Sequence, residues 1–215
     1  EAYSQLLPEL VRQWRLLWKA PELPFIQVEL ANFGPPSRPT VTSQSAWPRL
    51  REAQRLAAND EKGIYLVSVI DIKEDPPVEA DWQIHPANKQ LAGNRLFRAA
   101  MQVVYGKTDR PGFGPRLQRA TFEGERVLLH FDSTGEGLRT RDGKGLTGFG
   151  IAGANGEFHA AEAEIVDGNS VAVSCADVVD PLIVHYNRAD NPTGNLVNSE
   201  DLPAGAFEAS KRPQE

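Results

Sequence analysis

Cysteine is scarce in this sequence: Cys175 is the single one among 215 residues, which excludes an internal disulfide. Cys175 lies in an alternating apolar run, SVAVSCADV, where we expect a small buried hydrophobic residue rather than a nucleophile. Long hydrophobic runs are missing as well. Because no stretch of about 18 apolar residues occurs, no membrane-spanning segment is predicted.

Basic clusters are also missing. The net charge of −6 at pH 7 argues against nucleic acid or an anionic membrane as a partner. His130, His159 and His185 lack the spacing that zinc ligands usually have along a chain, so no metal site is predicted. With 40% hydrophobic residues, the chain is expected to be globular and long enough to bury a core.

Apolar periodicity predicts five alternating elements in the first half of the chain. Helices are expected over residues 3–18, 46–59 and 86–105, and strands over 25–30 and 64–71. This alternation is typical of a doubly wound parallel sheet. Two strands are too few for such a sheet, which usually has four to six. We therefore expect the chain to be the C-terminal part of a longer α/β domain.

A turn-rich segment, GKTDRPGFGP, follows the third predicted helix. It predicts a linker at 107–115 between the α/β part, residues 1–106, and a small antiparallel β-sandwich over 116–215. The hydrophobic period changes to two in that second part. Short strands are predicted at 126–131, 162–166, 170–174 and 182–186, with hairpin turns at Asn155-Gly156 and Asp167-Gly168.

His85 is the most informative single residue. It comes after the apolar strand that begins at Ile64, and Pro86 suits the first turn of the helix that follows. A histidine in this position lies at the carboxyl end of a strand, which is where open α/β sheets bind ligands. The pattern alone equally supports a loop histidine that is hydrogen-bonded to the backbone.

The segment IHPANKQLAGNRLFRAAMQVVYG, which contains His85, resembles the His-Pro block of the sialate O-acetylesterase family, a branch of the SGNH/GDSL hydrolases. Four further stretches resemble the same family, in the same order, and together they cover most of the chain: PFIQVELANF, SAWPRLREAQRLA, GLTGFGIAGANGEFHAAEAEI and YNRADNPTGNLVNSEDLPAGAF.

The resemblance implies a serine-type esterase without a cofactor, which removes acetyl groups from sialic acid or from acetylated polysaccharide. His85 would be its catalytic base. The resemblance also implies that this chain is the C-terminal portion of the SGNH domain followed by the β-sandwich. An N-terminal portion would then be its partner, and a periplasmic or secreted location is favoured.

Two parts of the implied catalytic site depart from the family pattern. The nucleophile motif, Gly-Gln-Ser-Asn, does not occur in this sequence. The orienting aspartate commonly stands three residues before the histidine, where this chain has Trp82, and Asp81 stands four before. Asp81 is the first candidate to hold the His85 ring. A backbone carbonyl could do so instead, which would leave a Ser-His dyad.

Substrate contacts are expected near the carboxyl end of the first strand. Gln27 and Asn32 could line a pocket there, or they could simply cap the strand. Trp82, beside His85, is the candidate for stacking on a sugar face, whereas Trp47 is expected to lie in the core. A competing hypothesis is a non-catalytic carbohydrate-binding or scaffolding protein that retains a degenerate hydrolase remnant, because the nucleophile is absent and the spacing before His85 is altered.

Overall fold

A computed structural model describes residues 2–35, 45–72, 85–86 and 88–211. Within these residues the protein is a mixed α/β structure in which three helices precede several antiparallel sheets. None of the helices in the described ranges is long and apolar enough to cross a bilayer.

The first half contains three helices and one parallel pair of strands. Strands β1 and β2 pair in parallel, with Phe25 opposite Ile64. The order of helices and strands along this half of the chain confirms the predicted alternation. The elements are α1 (Ala2–Leu17), β1 (Phe25–Val28), α2 (Ala46–Asp60), β2 (Ile64–Val67) and α3 (Lys89–Val103).

Side-chain caps decide where two of these helices begin. The Ser45 side chain accepts a hydrogen bond from the Trp47 N–H at the start of α2. Asn88 caps α3, so this helix starts at Lys89 and not at residue 86 as predicted. The prediction that β2 reaches residue 71 is also wrong. After Val67 the chain turns, and the Ile72 N–H donates to the Val69 carbonyl at 3.1 Å.

The second half is made of β-strands. Four predicted strands are confirmed to within one residue at each end: β4 (Arg126–Asp132), β8 (Glu162–Asp167), β9 (Ser170–Ser174) and β10 (Ile183–Tyr186). The sequence analysis missed six others: β3 (Arg116–Glu123), β5 (Leu138–Thr140), β6 (Phe149–Ala152), β7 (Phe158–Ala160), β11 (Leu196–Asn198) and β12 (Phe207–Ser210).

These strands form two four-stranded antiparallel sheets and one shorter pair. The sheet orders are β3-β4-β9-β8 and β12-β10-β6-β7, while β5 pairs with β11. The two predicted hairpin turns are confirmed, because Asn155-Gly156 joins β6 to β7 and Asp167-Gly168 joins β8 to β9. The missed strands are three or four residues long or, like β3, mostly polar, so they carry little periodic signal.

Both large sheets contribute to one hydrophobic cluster. Leu129 of β4, Ile151 of β6 and Val184 of β10 are fully buried in it. Tyr186 packs on Phe149 at 4.7 Å between ring centroids, and its hydroxyl accepts a hydrogen bond from the Leu196 N–H at 2.9 Å. This bond satisfies the one polar atom of a fully buried ring.

Large apolar side chains on α1 and α3 remain exposed. Leu17 is 74% exposed and Tyr105, just after α3, is 67% exposed. The other exposed large apolar residues in and beside these helices are Tyr3, Leu6, Leu10, Trp14, Leu16, Trp18, Phe97 and Val104.

Candidate functional site

His85 lies in a bend directly before α3, and its side chain is exposed. The start of α3 is fixed by two local contacts. Asn88 Oδ1 accepts from the Leu91 N–H at 2.9 Å, and Lys89 Nζ donates to the Pro86 carbonyl. Because the His85 side chain is exposed, its imidazole can be reached from solvent. Its catalytic role stays a prediction.

Asp81 and Trp82 lie outside the described residues. The orientation of the His85 ring by Asp81 and the sugar contact of Trp82 therefore stay predictions.

An ion pair joins the residues on either side of the segment that carries His85. Asp71 precedes that segment, and Arg95 lies in α3, which follows it. Arg95 Nη2 lies 2.7 Å from Asp71 Oδ2, and Arg141 Nη1 lies 2.6 Å from the same oxygen. Arg95 Nη1 also donates to the Ser68 carbonyl at 2.9 Å. The pair is almost fully shielded from solvent, and it ties the turn after β2 to α3.

Gln27 is buried in β1 and faces α2. Its Nε2 donates to the Gln54 carbonyl at 3.0 Å. Gln54 in turn donates to the Val28 carbonyl at 3.0 Å and accepts from the Leu30 N–H at 2.9 Å. The Gln54 side chain therefore bonds to the backbone on both sides of Glu29, as a neighbouring strand would. These bonds hold β1 against α2, and the substrate contact proposed for Gln27 stays a prediction.

The amide of Asn32 is occupied by interior groups. Its Nδ2 donates to the Ile70 carbonyl and to Asn191 Oδ1, the latter at 2.8 Å. Its Oδ1 accepts from Arg51 Nη2 at 3.1 Å. Asn32 thus joins the chain after β1 to the chain after β2 and to the loop at residue 191. A sugar would have to compete with these bonds, and a substrate role for Asn32 stays a prediction.

Arg51 of α2 is completely buried and holds this region together. Its guanidinium contacts four backbone carbonyls and one side-chain oxygen, one through Nε, one through Nη1 and three through Nη2. Burial lowers the pKa of Arg51, an effect that Glu29 and Asp190 oppose. The acceptors are the carbonyls of Leu30 (2.8 Å), Ala31 (2.9 Å), Ala189 (2.6 Å) and Asp190 (3.0 Å), together with Asn32 Oδ1.

The loop after β10 docks on the chain after β1 through these contacts. Asn191 Nδ2 donates to the Gly34 carbonyl at 2.6 Å, and the Phe33 N–H donates to the Asp190 carbonyl at 3.1 Å. Trp47 stacks on Phe33 at 4.7 Å and donates to the Ala31 carbonyl at 2.7 Å. Trp47 is therefore half-buried against the chain after β1, whereas it was expected to lie in the core.

Glu29 is a buried carboxyl at the end of β1. It is 1% exposed, and its Oε1 accepts from the Ala206 N–H at 3.0 Å. Burial raises the pKa of Glu29, and the nearby Arg51 guanidinium and the Ser68 hydroxyl partly oppose that rise. Among the described residues, however, neither Glu29 Oε2 nor Ser68 Oγ has a hydrogen bond of normal geometry. The protonated form of Glu29 is favoured as a result.

We expect Glu29→Gln to flatten the pH dependence of stability. The pKa of Glu29 is raised in the folded state. Its contribution to the free energy of unfolding is therefore fully present below the ordinary pKa of 4.5, and it is lost as the pH rises through the pKa of the folded state. Within that window the loss has a slope of about 1.4 kcal/mol per pH unit. Glutamine does not titrate in this range, and its side-chain oxygen can still accept the hydrogen bond from the Ala206 N–H. Urea unfolding from pH 4 to 8 measures the difference.

The control for this experiment is Glu22→Gln, which changes an exposed carboxylate with 80% of its side chain in solvent. Its pH profile should follow that of the unchanged protein. If the Glu29→Gln profile also ran parallel to the unchanged protein, Glu29 would be ionised in both states and the raised pKa would be refuted.

A cavity lies where β2 and α2 meet the β-rich half. It is lined by Ser68, Gly205, Ala206 and other residues, and its volume is about 60 Å³. Because pockets for small organic ligands are about 300–1,000 Å³, this space is too small for a sugar. It is therefore not a complete carbohydrate site.

The mixed α/β fold described above is that of a carbohydrate esterase structure. One matching structure is the crystal structure of a novel carbohydrate acetylesterase from Xanthomonas citri, with a TM-score of 0.84 and 36% sequence identity over 98% of this chain. The chain covers 46% of that protein and so spans about half its length. No family model and no curated protein matches the chain.

The sequence analysis assigned no role to Arg51, Glu29 or Asp71, which organise this region. A signal for Arg51 was present, since it shares one helix face with Trp47 and Gln54 and that face is buried. Glu29 stands at the end of the apolar strand PFIQVELANF, which also hinted at burial. The residues that bond to Arg51 and Glu29, such as Ala189 and Ala206, lie far along the chain, and no local sequence pattern points to them.

Proposed function

We propose that this chain is the His85-bearing portion of a serine-type carbohydrate O-acetylesterase of the SGNH type, similar to the sialate O-acetylesterases. The observation that carries the proposal is the 36% identity to a carbohydrate acetylesterase over 98% of the chain. The exposed position of His85 before α3 supports it. In this proposal residues 1–106 complete an SGNH sheet and residues 116–215 form the β-sandwich.

The reaction requires four groups. His85 takes the proton of a serine hydroxyl while the serine oxygen bonds to the acetyl carbonyl carbon, and it returns that proton to the sugar oxygen as the ester bond breaks. Water then attacks the acetyl-serine, again through His85. Backbone donors stabilise each tetrahedral oxyanion. Asp81 holds the imidazole ring in the required orientation.

The serine and the oxyanion donors are supplied by an N-terminal portion of the same catalytic domain. Four observations support this partner. The sequence lacks the Gly-Gln-Ser-Asn motif, and the related esterase is more than twice as long as this chain. The β1-β2 pair is also too small a sheet, and the exposed apolar residues of α1 and α3 offer a surface for further polypeptide.

The substrate is an O-acetylated carbohydrate. The similar protein is a carbohydrate acetylesterase, which supports a sugar rather than a lipid ester. The net charge of −6 favours a neutral acetylated polysaccharide over an anionic sialate. A periplasmic or secreted location is favoured by the resemblance to the sialate O-acetylesterases.

A p-nitrophenyl acetate assay tests the proposal. The 215-residue chain alone should show no turnover above background, whereas the chain produced together with its N-terminal portion should hydrolyse the ester. Intact mass and denaturing electrophoresis report which polypeptides are present. If the reassembled protein lacked turnover but bound acetylated polysaccharide, the non-catalytic carbohydrate-binding hypothesis would replace this one.

Asp81→Asn in the reassembled protein tests how the His85 ring is oriented. We expect turnover to fall by about tenfold to a thousandfold, because a neutral amide neither fixes the tautomer nor stabilises the imidazolium. Initial rates with p-nitrophenyl acetate measure the change. Unchanged turnover would show a Ser-His dyad in which another group holds the ring.

A further inference from the structure

Three side chains with different metal-binding atoms meet in the β-rich half. His159 lies on β7, Cys175 directly follows β9, and Asp177 lies in the next turn. One ligand atom from each residue lies within 4.8 Å of the other two. Because β7 and β9 belong to different sheets, these residues become neighbours only in the folded protein.

The separation between His159 and Asp177 suits a single metal ion. Bonds of about 2.0–2.3 Å in a tetrahedral zinc site place neighbouring ligand atoms about 3.3–3.8 Å apart. His159 Nδ1 lies 3.7 Å from Asp177 Oδ2, which is too long for a normal hydrogen bond. With 75% of the Asp177 side chain exposed, a simple ion pair there contributes little to stability.

The backbone around these side chains is anchored. Val178 donates its N–H to the Cys175 carbonyl at 3.0 Å, which closes the turn that contains Asp177. Cys175 itself packs against the hydrophobic cluster shared by the two sheets. On β7, the ring of Phe158 packs on His185 at 4.5 Å. The ligand-bearing segments are thus held in place without a metal.

We propose that His159, Cys175 and Asp177 form a binding site for one Zn²⁺ ion, with a water molecule as the fourth ligand. Imidazole, thiolate and carboxylate together are typical of zinc, whereas calcium and magnesium prefer oxygen ligands alone. The bound ion would tie the turn after β9 to β7 and so link the two sheets. This site is separate along the chain from His85 and from the proposed esterase chemistry.

Calorimetric titration of the metal-free 215-residue chain with ZnSO₄ tests the proposal. We expect one ion per chain and a higher midpoint of thermal unfolding when zinc is present, because the ion binds only the folded site. His159→Gln and Cys175→Ser should each weaken binding at least tenfold, and Asp177→Asn by about tenfold. Replacing zinc by Co²⁺ should give a thiolate-to-cobalt charge-transfer absorption that Cys175→Ser abolishes.

The matched control is Asp180→Asn, three residues further on. Asp180 is an exposed carboxylate that pairs with Lys211 at 3.0 Å, and its replacement should leave zinc affinity unchanged. Failure of the chain to bind zinc stoichiometrically would overturn the proposal. Binding that persisted unchanged in both His159→Gln and Cys175→Ser would overturn it as well, since the ion would then lie elsewhere.

Discussion

Replacing His85 by alanine in the reassembled protein is expected to reduce ester turnover on the order of a thousandfold or more, with little change in folding. The loss follows from the proposed chemistry, because without the imidazole no group removes the serine proton or returns it to the leaving sugar oxygen. Folding should be unaffected, since the His85 side chain is exposed. Initial rates with p-nitrophenyl acetate and thermal unfolding measure the two effects.

Lys107→Ala provides the control, because Lys107 is also exposed and lies beyond the end of α3. Its turnover should equal that of the unchanged protein. If His85→Ala retained turnover to within a few-fold, His85 would not be the base, and the esterase proposal would need another histidine or a different mechanism.

Replacing Arg51 by methionine is expected to lower the free energy of unfolding by about 3–5 kcal/mol. Methionine fills part of the space but leaves four backbone carbonyls without their buried donor, and an unsatisfied buried acceptor costs about 1–3 kcal/mol. Loss of the cation also leaves the buried Glu29 without the charge that opposes the rise in its pKa. Urea unfolding of the 215-residue chain, analysed by linear extrapolation, gives the change.

Arg49→Met is the matched control, since Arg49 lies on the same helix but is exposed. Its effect should stay within about 0.5 kcal/mol. A loss below about 1 kcal/mol for Arg51→Met would mean that water replaces the guanidinium donors and that the docking of the loop at residues 189–191 does not depend on this arginine.

Elements with a strong local pattern were predictable. The helix that follows His85 was recognised because apolar residues recur at helical spacing, and its start was missed by three residues because the cap is Asn88. The hairpin at Asp167-Gly168 was recognised from its turn residues alone. Strand β3 was missed because it is mostly polar, and it is held in place by its pairing with β4.

The candidate site was only partly predictable. His85 was chosen from its position after an apolar strand and from a family resemblance, and the structure places it in an exposed bend. Gln27 and Asn32 were chosen because they stand near the end of β1, and the structure shows their amides bonded to interior groups. The sequence does not distinguish a polar residue that binds a ligand from one that joins two segments, since both stand at the end of a strand.

By itself the sequence determined the alternation of helices and strands, the change to a β-rich second half and the place of His85 before a helix. Each depends on residues that are neighbours along the chain. Only the tertiary structure decided the rest. Arg51 meets the Ala189 carbonyl 138 positions away, and Glu29 meets the Ala206 N–H 177 positions away. His159, Cys175 and Asp177 likewise come together only across two sheets, because burial and ligand geometry depend on contacts that no local pattern records.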